Sequence, residues 1–226
     1  MNSSRPDYER DVAYFNRWAK SYERSRSQQY FFGPIQKRVL DAAGSLPESA
    51  IVLDVGCGTG RLLRAAAERW PRAQFVGVDP AAGMLEVARA LNPKAAFHLA
   101  SSDAIPLPDS SVTVAFTTLS FHHWADQLGG VKEVRRVLRP GGCFILADVN
   151  LPVWIGRLVM NLHRRLPVPA VLRRLFAQSR VTPEIVRLAR AGEEVLRGIF
   201  EQAGLTVSSQ FRIMFGFILV IKGEKR

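Results

Sequence analysis

Short apolar runs alternate along the middle of the chain with longer stretches whose apolar residues fall three and four apart. Residues 51–55 form a continuous, β-branched run, the pattern of a strand buried on both faces of a parallel sheet. The spacing then predicts a helix over 59–70, stopped by Pro71. The unit repeats with a strand over 74–78 ending at Asp79, a helix over 81–91 stopped by Asn92-Pro93, and a third strand over 95–99. After the loop 100–104, Pro106, Pro108 and Asp109-Ser110 mark a surface turn before a fourth strand over 112–117. A helix over 126–138 closes in the turn Arg139-Pro140-Gly141-Gly142, ahead of a fifth strand over 143–147. Such alternation predicts an α/β fold built of βαβ units with right-handed crossovers.

The flanks have a different texture. Between 8 and 30, Tyr14, Trp18 and Tyr22 recur four apart and share one helical face, a lid or packing surface over the downstream chain. Pro34 opens a further helix through Gln36, Val39 and Leu40 that closes near Gly44. Past Asn150, Pro152, Pro167 and Pro169 frame two short amphipathic basic stretches that read as an insertion. A helix over 193–203, capped by Gly204, then leads into strands over 206–211 and 215–221, close enough to form a hairpin. The expected organisation is one domain over 1–226: lid helices at 1–45, a ligand-binding core at 46–150, a basic insertion at 151–190 and a closing helix and hairpin at 191–226.

Composition narrows the setting. With 226 residues and 47% hydrophobic content the chain can bury one substantial core. Cys57 and Cys143 lack metal-ligand spacing and are too few for a disulfide framework, so the expectation is a reducing cytoplasm and no metal. No run approaches the ~18 apolar residues of a membrane span, and the first residues are polar, which favours a soluble or at most peripheral protein. The formal net charge of +11 is uneven: Arg157, Arg164, Arg165, Arg173, Arg174, Arg180, Arg187 and Arg190 stand against Glu184 alone in 151–190. That balance favours nucleic acid, anionic membrane or acidic ligands, and solvated helix faces account for it equally. The stretch 153–166 carries Trp154, Leu158 and Leu162 on one face and Arg157, Arg164 and Arg165 toward the other, fitting a lid over a lipophilic ligand, an interfacial helix or packing on the sheet edge.

The densest chemical signal comes after the first strand. Asp54, Gly56, Cys57, Gly58 and Gly60 make an acid-tipped run that enters glycines at every second position. Glycine serves where the backbone needs φ > 0 or where a ligand comes close, and three exceed the needs of one turn. A dinucleotide fingerprint would require glycine where Arg61 stands. Asp79, at the end of the second strand, offers two acceptor oxygens to a ribose diol, or caps the next helix. Met84 lies against an adenine face or in the core, and Ser102, Asp103 and Ala104 hold an adenine edge or form an Asx turn.

The D-x-G-x-G-x-G spacing resembles the first motif of class I S-adenosylmethionine-dependent methyltransferases. Phe121-His122-His123-Trp124 and Val137-Leu138-Arg139-Pro140-Gly141-Gly142 look like the matching segments of small-molecule methyltransferases, notably the ubiquinone and menaquinone biosynthesis and natural-product group. The likeness covers most of 51–149, and Phe15 to Tyr22 is similar to that group's lid. It implies a seven-stranded sheet in the order 3-2-1-4-5-7-6 with the last strand antiparallel. It also implies S-adenosyl-L-methionine held by Tyr22, Asp54, Gly56, Cys57, Gly58, Gly60, Asp79, Pro80, Met84, Ser102, Asp103, Ala104 and Leu119. The expected reaction is O- or C-methylation of a small, lipophilic acceptor. His122 and His123 depart from the quinone enzymes; one of them is a candidate general base, and shaping the pocket or capping the next helix is the alternative. A nucleic-acid methyltransferase would exploit the basic surface, but the segment after the fourth strand lacks the Asn/Asp-Pro-Pro-Tyr/Phe signature. A non-catalytic S-adenosylmethionine-binding regulator is the remaining rival.

Overall fold

The computed structural model describes residues 5–23, 26–150 and 192–226. The basic insertion and the 153–166 stretch lie outside the described residues. Two helices come first, α1 (Arg5–Tyr22) and α2 (Arg26–Ala43). The alternation then runs as β1 (Ile51–Val55), α3 (Arg61–Arg69), β2 (Gln74–Asp79), α4 (Ala82–Leu91), β3 (Ala95–Leu99) and β4 (Val112–Thr118). A 3₁₀ turn at Phe121–His123 precedes α5 (Gln127–Val137) and β5 (Leu138–Val149). The described chain resumes with α6 (Gly192–Gln202), β6 (Thr206–Ile213) and β7 (Ile218–Glu224).

The seven strands form one sheet ordered β3-β2-β1-β4-β5-β7-β6, as the resemblance implied. Neighbours from β3 to β5 run parallel, and β7 is antiparallel to both β5 and β6. Alternation of side chains across the strands feeds two cores. Val52 of β1 packs on one face with Ile35 of α2, Leu62 and Leu63 of α3 and Leu85 of α4. Leu53 and Val55 pack on the other with Val131 and Val134 of α5 and Leu196 and Phe200 of α6. Helices on both faces leave the central strands no wet side, which is why β4 is buried along six consecutive residues.

Three local expectations are corrected. Pro34 lies inside α2 rather than at its start. The residue before it is Gly33, which has no Cβ to meet the proline ring, so the helix passes through at the loss of one backbone bond. Arg139 to Gly142 form the irregular beginning of β5 rather than a separate turn. Leu138 pairs with Val112 and Cys143 with Val114, the register slips between them, and Gly141 takes φ +76°. Lastly, Met214, Phe215 and Gly216 all adopt positive φ, so the hairpin turns there and its second strand begins at Ile218 instead of 215.

The aromatic face of α1 forms as expected, with Trp18 edge-on to Tyr22 at 4.8 Å. Ala19 packs on Ala81 and Met84, bringing α1 against α4. Contact is close at Gly83, whose N–H donates to Asn16 Oδ1 at 2.7 Å and where a Cβ would lie 2.8 Å from the Asn16 carbonyl. This seats α1 over the carboxyl ends of β1, β2 and β4.

Candidate active site

Beneath α1, at the strand ends, lies a cleft of about 960 Å³ including its open mouth. The turn from β1 into α3 forms its floor. Gly56, Gly58 and Gly60 all have φ between +52° and +74°. At Gly56 even the space excludes a side chain, since a Cβ would sit 1.8 Å from Ser120 Oγ. Most of the turn's own amides are spent internally: those of Gly56 and Cys57 donate to the Val78 carbonyl, that of Gly60 to the Cys57 carbonyl, and that of Gly58 to Asp79 Oδ2 at 2.8 Å. Intrahelical bonding in α3 starts with the Arg64 N–H. The donors left for an anion include the first-turn amides of α3, at its positive end.

Two carboxylates share this floor. Asp79 accepts from the amides of Gly58 and Ala81, one on each oxygen, so it ties the glycine turn to the approach to α4 and still has lone pairs for a ligand. The helix-cap alternative for this acid does not hold, since α4 begins from Ala81 with no side-chain cap. Asp54 is buried and its Oδ1 has no hydrogen-bond partner within the described residues. Burial, with the neighbouring Asp79 charge, raises the Asp54 carboxyl from 3.8 to about 8. Burial likewise raises Asp79 to about 6, opposed by its two amide bonds. A buried acceptor without a donor costs about 1–3 kcal/mol, and paired carboxylates cannot both ionise cheaply. This floor fits a ligand that brings positive charge and hydroxyl donors.

The end of α1 is fastened to the same turn. Glu23, just past α1, accepts from the Thr59 hydroxyl, from Arg61 Nε at 2.9 Å and from Arg64 Nη2 at 3.2 Å. Arg61 also donates to the Tyr22 carbonyl and lies over the Tyr22 ring at 5.1 Å. The residue that breaks the dinucleotide fingerprint thus holds the end of α1. Nothing in the sequence pattern singled out Glu23.

After β4 the chain enters Leu119 at φ +52°, a strained backbone for leucine, held by its N–H to the Ala147 carbonyl. The two histidines then separate in role. His122 is buried behind the cleft, its ring Nδ1 2.7 Å from Asp148 Oδ1 and its backbone N–H donating to Asp148 Oδ2. Burial pulls its basicity down, but the charge and hydrogen bond of Asp148 outweigh that and leave it raised. His123 lines the cleft, with Nδ1 2.8 Å from Asp11 Oδ2 and Phe15 edge-on at 5.1 Å. Burial and then the adjacent His122 lower its pKa more than Asp11 and Asp148 restore it, which favours the neutral ring.

Of the residues proposed from the sequence, Tyr22, Asp54, Gly56, Cys57, Gly58, Asp79, Pro80, Met84, Ser102, Leu119 and His123 line this one cleft. Met84 serves both alternatives, being buried against Ala19 and also part of the wall. Gly60, Asp103, Ala104 and His122 lie outside it. Gly60 starts α3 in a left-handed conformation against Asn92. Asp103 is exposed and bonded to the Ser101 hydroxyl, and the Ala104 N–H donates to the Ser101 carbonyl, so this pair forms a turn at the edge of the cleft, with the Asp103 charge felt by cleft-lining Tyr8. Asp11 and Asp148 were missed. Asp148 carried the same signal as Asp54 and Asp79, an acid closing an apolar run. Asp11 had none, because only the docking of α1 brings it to His123.

A seven-stranded sheet of this order, with a glycine turn and acids at two adjacent strand ends, defines the class I Rossmann-like methyltransferase fold. The family described as "Methyltransferase domain" matches residues 53–146. The demethylmenaquinone methyltransferase of Chlamydia trachomatis is 31% identical over 179 residues, which cover 76% of this chain and 77% of that protein. The malonyl-[acyl-carrier protein] O-methyltransferase of Xylella fastidiosa is 35% identical over 178 residues, 76% of this chain; the match spans only 54% of that longer relative. Among solved structures, a SAM dependent methyltransferase from Aquifex aeolicus superposes with a TM-score of 0.66 at 18% identity, covering 91% of this chain and 97% of that one. The chain belongs to the S-adenosylmethionine-dependent methyltransferases, in the class I small-molecule group.

Proposed function

We propose that this protein methylates an oxygen or carbon of a small, lipophilic acceptor, using the cleft under α1. The observation that carries the reading is the unpartnered Oδ1 of buried Asp54 beside Asp79: a sulfonium nucleoside supplies the missing positive charge and hydroxyl donors. Asp79 would hold the ribose diol, Asp54 the cationic amino-acid end, the first-turn amides of α3 its carboxylate, and Ser102 the adenine edge. S-adenosylmethionine, when bound, supplies a methyl carbon whose bond to sulfur breaks with both electrons leaving on sulfur as a neutral thioether.

Because that leaving group is neutral, the protein's main contribution is alignment, worth ~7–11 kcal/mol in favourable cases. Phe15, edge-on to His123, gives the acceptor side an apolar wall. His123 is the base where the acceptor must lose a proton, and His122 with Asp148 supports it from behind. The names of the two relatives, a demethylmenaquinone and a malonyl-[acyl-carrier protein] methyltransferase, support an acceptor other than nucleic acid. The buried free thiols of Cys57 and Cys143 agree with a cytoplasmic setting. Contact with anionic membrane through the arginines of 151–190 belongs to the same reading; co-sedimentation with anionic vesicles at low salt supports it, and none at all removes it.

The test is direct. Incubating the protein with methyl-labelled S-adenosylmethionine and a host-cell extract should place label in an organic-extractable small molecule. Label found only in RNA or DNA, or saturable binding without any product, would replace this reading with one of its rivals.

A further inference from the structure

We infer that Asp11 is a positioning residue that the lid delivers to His123, and that the pair selects an uncharged hydroxyl acceptor. The inference rests on the proposed methyl-transfer cleft and adds an acceptor class and a role for α1.

The His123 ring sits at the mouth between β4 and α1, fixed on one side by the Phe15 edge and on the other by the His122 ring at 4.0 Å. Asp11 is held ionised by the hydrogen bond and charge of His123 and by Arg10, against the opposing effect of its burial. A carboxylate only accepts, so at 2.8 Å the hydrogen lies on His123 Nδ1 and leaves Nε2 as the proton acceptor. This is the arrangement in which a carboxylate orients a neutral imidazole and stabilises it once protonated. Here the carboxylate belongs to α1, which is pinned by Glu23 to the cofactor turn and by Asn16 to α4. The base is therefore complete only while the lid is docked over the cofactor.

The same geometry discriminates among acceptors. Asp11, Asp54 and Asp79 all line the cleft, while its lining cation, Arg61, is paired with Glu23. An acid acceptor arrives already ionised, needs no base and meets Asp11 as a like charge. An uncharged aromatic hydroxyl needs the base and fits the wall that Phe15 forms beside it. In that case the O–H bond breaks, its proton passes to His123 Nε2, and the oxygen lone pair forms the new bond to the methyl carbon as the carbon–sulfur pair leaves with sulfur. The imidazolium then returns its proton to water.

Two measurements on the full chain test this. Nitrogen NMR of the wild-type histidines should show His123 as the Nδ1–H tautomer near neutral pH, in an environment shared with Asp11, Arg10, His122 and Asp148. Methyl transfer from labelled S-adenosylmethionine should proceed to 2-naphthol and not to 2-naphthoate. Asp11→Asn should lower kcat on 2-naphthol by roughly 10²-fold, shift the limb of the pH–rate profile that rises with the neutral imidazole to lower pH, and leave the calorimetric affinity for S-adenosylmethionine within about 3-fold (about 0.65 kcal/mol). An Nε2–H tautomer, a variant with an unmoved pH profile, or failure to prefer 2-naphthol over 2-naphthoate would overturn the inference. Absence of S-adenosylmethionine binding by the wild type would instead overturn the proposed function beneath it.

Discussion

In the proposed function Asp54 and Asp79 hold the cofactor, and their titration gives that proposal a measurable signature. A carboxyl raised in the fold above its unfolded value takes up a proton on folding between the two values. Stability contributed by the pair is therefore present at low pH and lost as pH rises from about 4 toward 8 for Asp54 and about 6 for Asp79. A cationic ligand prefers the ionised pair, so its affinity should rise over the same window. Asp54→Asn should flatten that rise above about pH 7 in a binding titration and weaken S-adenosylmethionine by roughly 10- to 100-fold, the worth of a charged hydrogen bond. A variant that binds as tightly as its parent at every pH removes Asp54 from the site. At this scale the sequence was informative wherever a strand end or a glycine spacing pinned the backbone, as at Asp54, Gly58 and Asp79. It was silent on Asp11 and Glu23, because partners 112 and 38 residues away, His123 and Arg61, meet them only through the docking of α1.

The elements that matter most are the turn from β1 to α3 and the helix above it. Gly56→Ala should abolish S-adenosylmethionine binding, and pairing it with Ser120→Ala should not restore it. The Ser120 Cβ would still stand 2.7 Å from the new methyl, and φ would remain +73°. Recovery of binding in the double variant, read by calorimetry, would show that sterics against the hydroxyl alone required glycine. Glu23→Gln releases the charge that gathers Thr59, Arg61 and Arg64. It should speed amide exchange along α1 and weaken the cofactor by about 10-fold, about 1.4 kcal/mol, with α3 and the sheet as protected as before. Unchanged exchange in α1 would mean that the α4 contacts at Gly83 hold the lid by themselves. The strands and helices of 51–149 were legible because each is one half of a βαβ unit with both sheet faces covered. The run of α2 through Pro34 was not, since the permissive partner, Gly33, looks like a second helix breaker.

At the scale of the whole molecule, the sheet order and the two cores explain why ligand binding and stability are coupled. The cleft is made by strand ends that also close both cores, with Val55 and Val78 on one side and Cys57 on the other. A ligand that binds only the folded chain adds about 2.7 kcal/mol at a hundredfold excess over its Kd. For a domain of this size that corresponds to a rise in Tm of roughly 5–10 °C, and Asp54→Asn should lose most of it. The most direct test of the central claim is calorimetric titration of the intact protein with S-adenosylmethionine at pH 7 in two buffers of different ionisation heat. The account predicts saturable one-to-one binding with net release of up to about one proton as the Asp54 carboxyl ionises against the incoming cation. Folded protein giving no saturable heat, or binding that takes up protons, would contradict it.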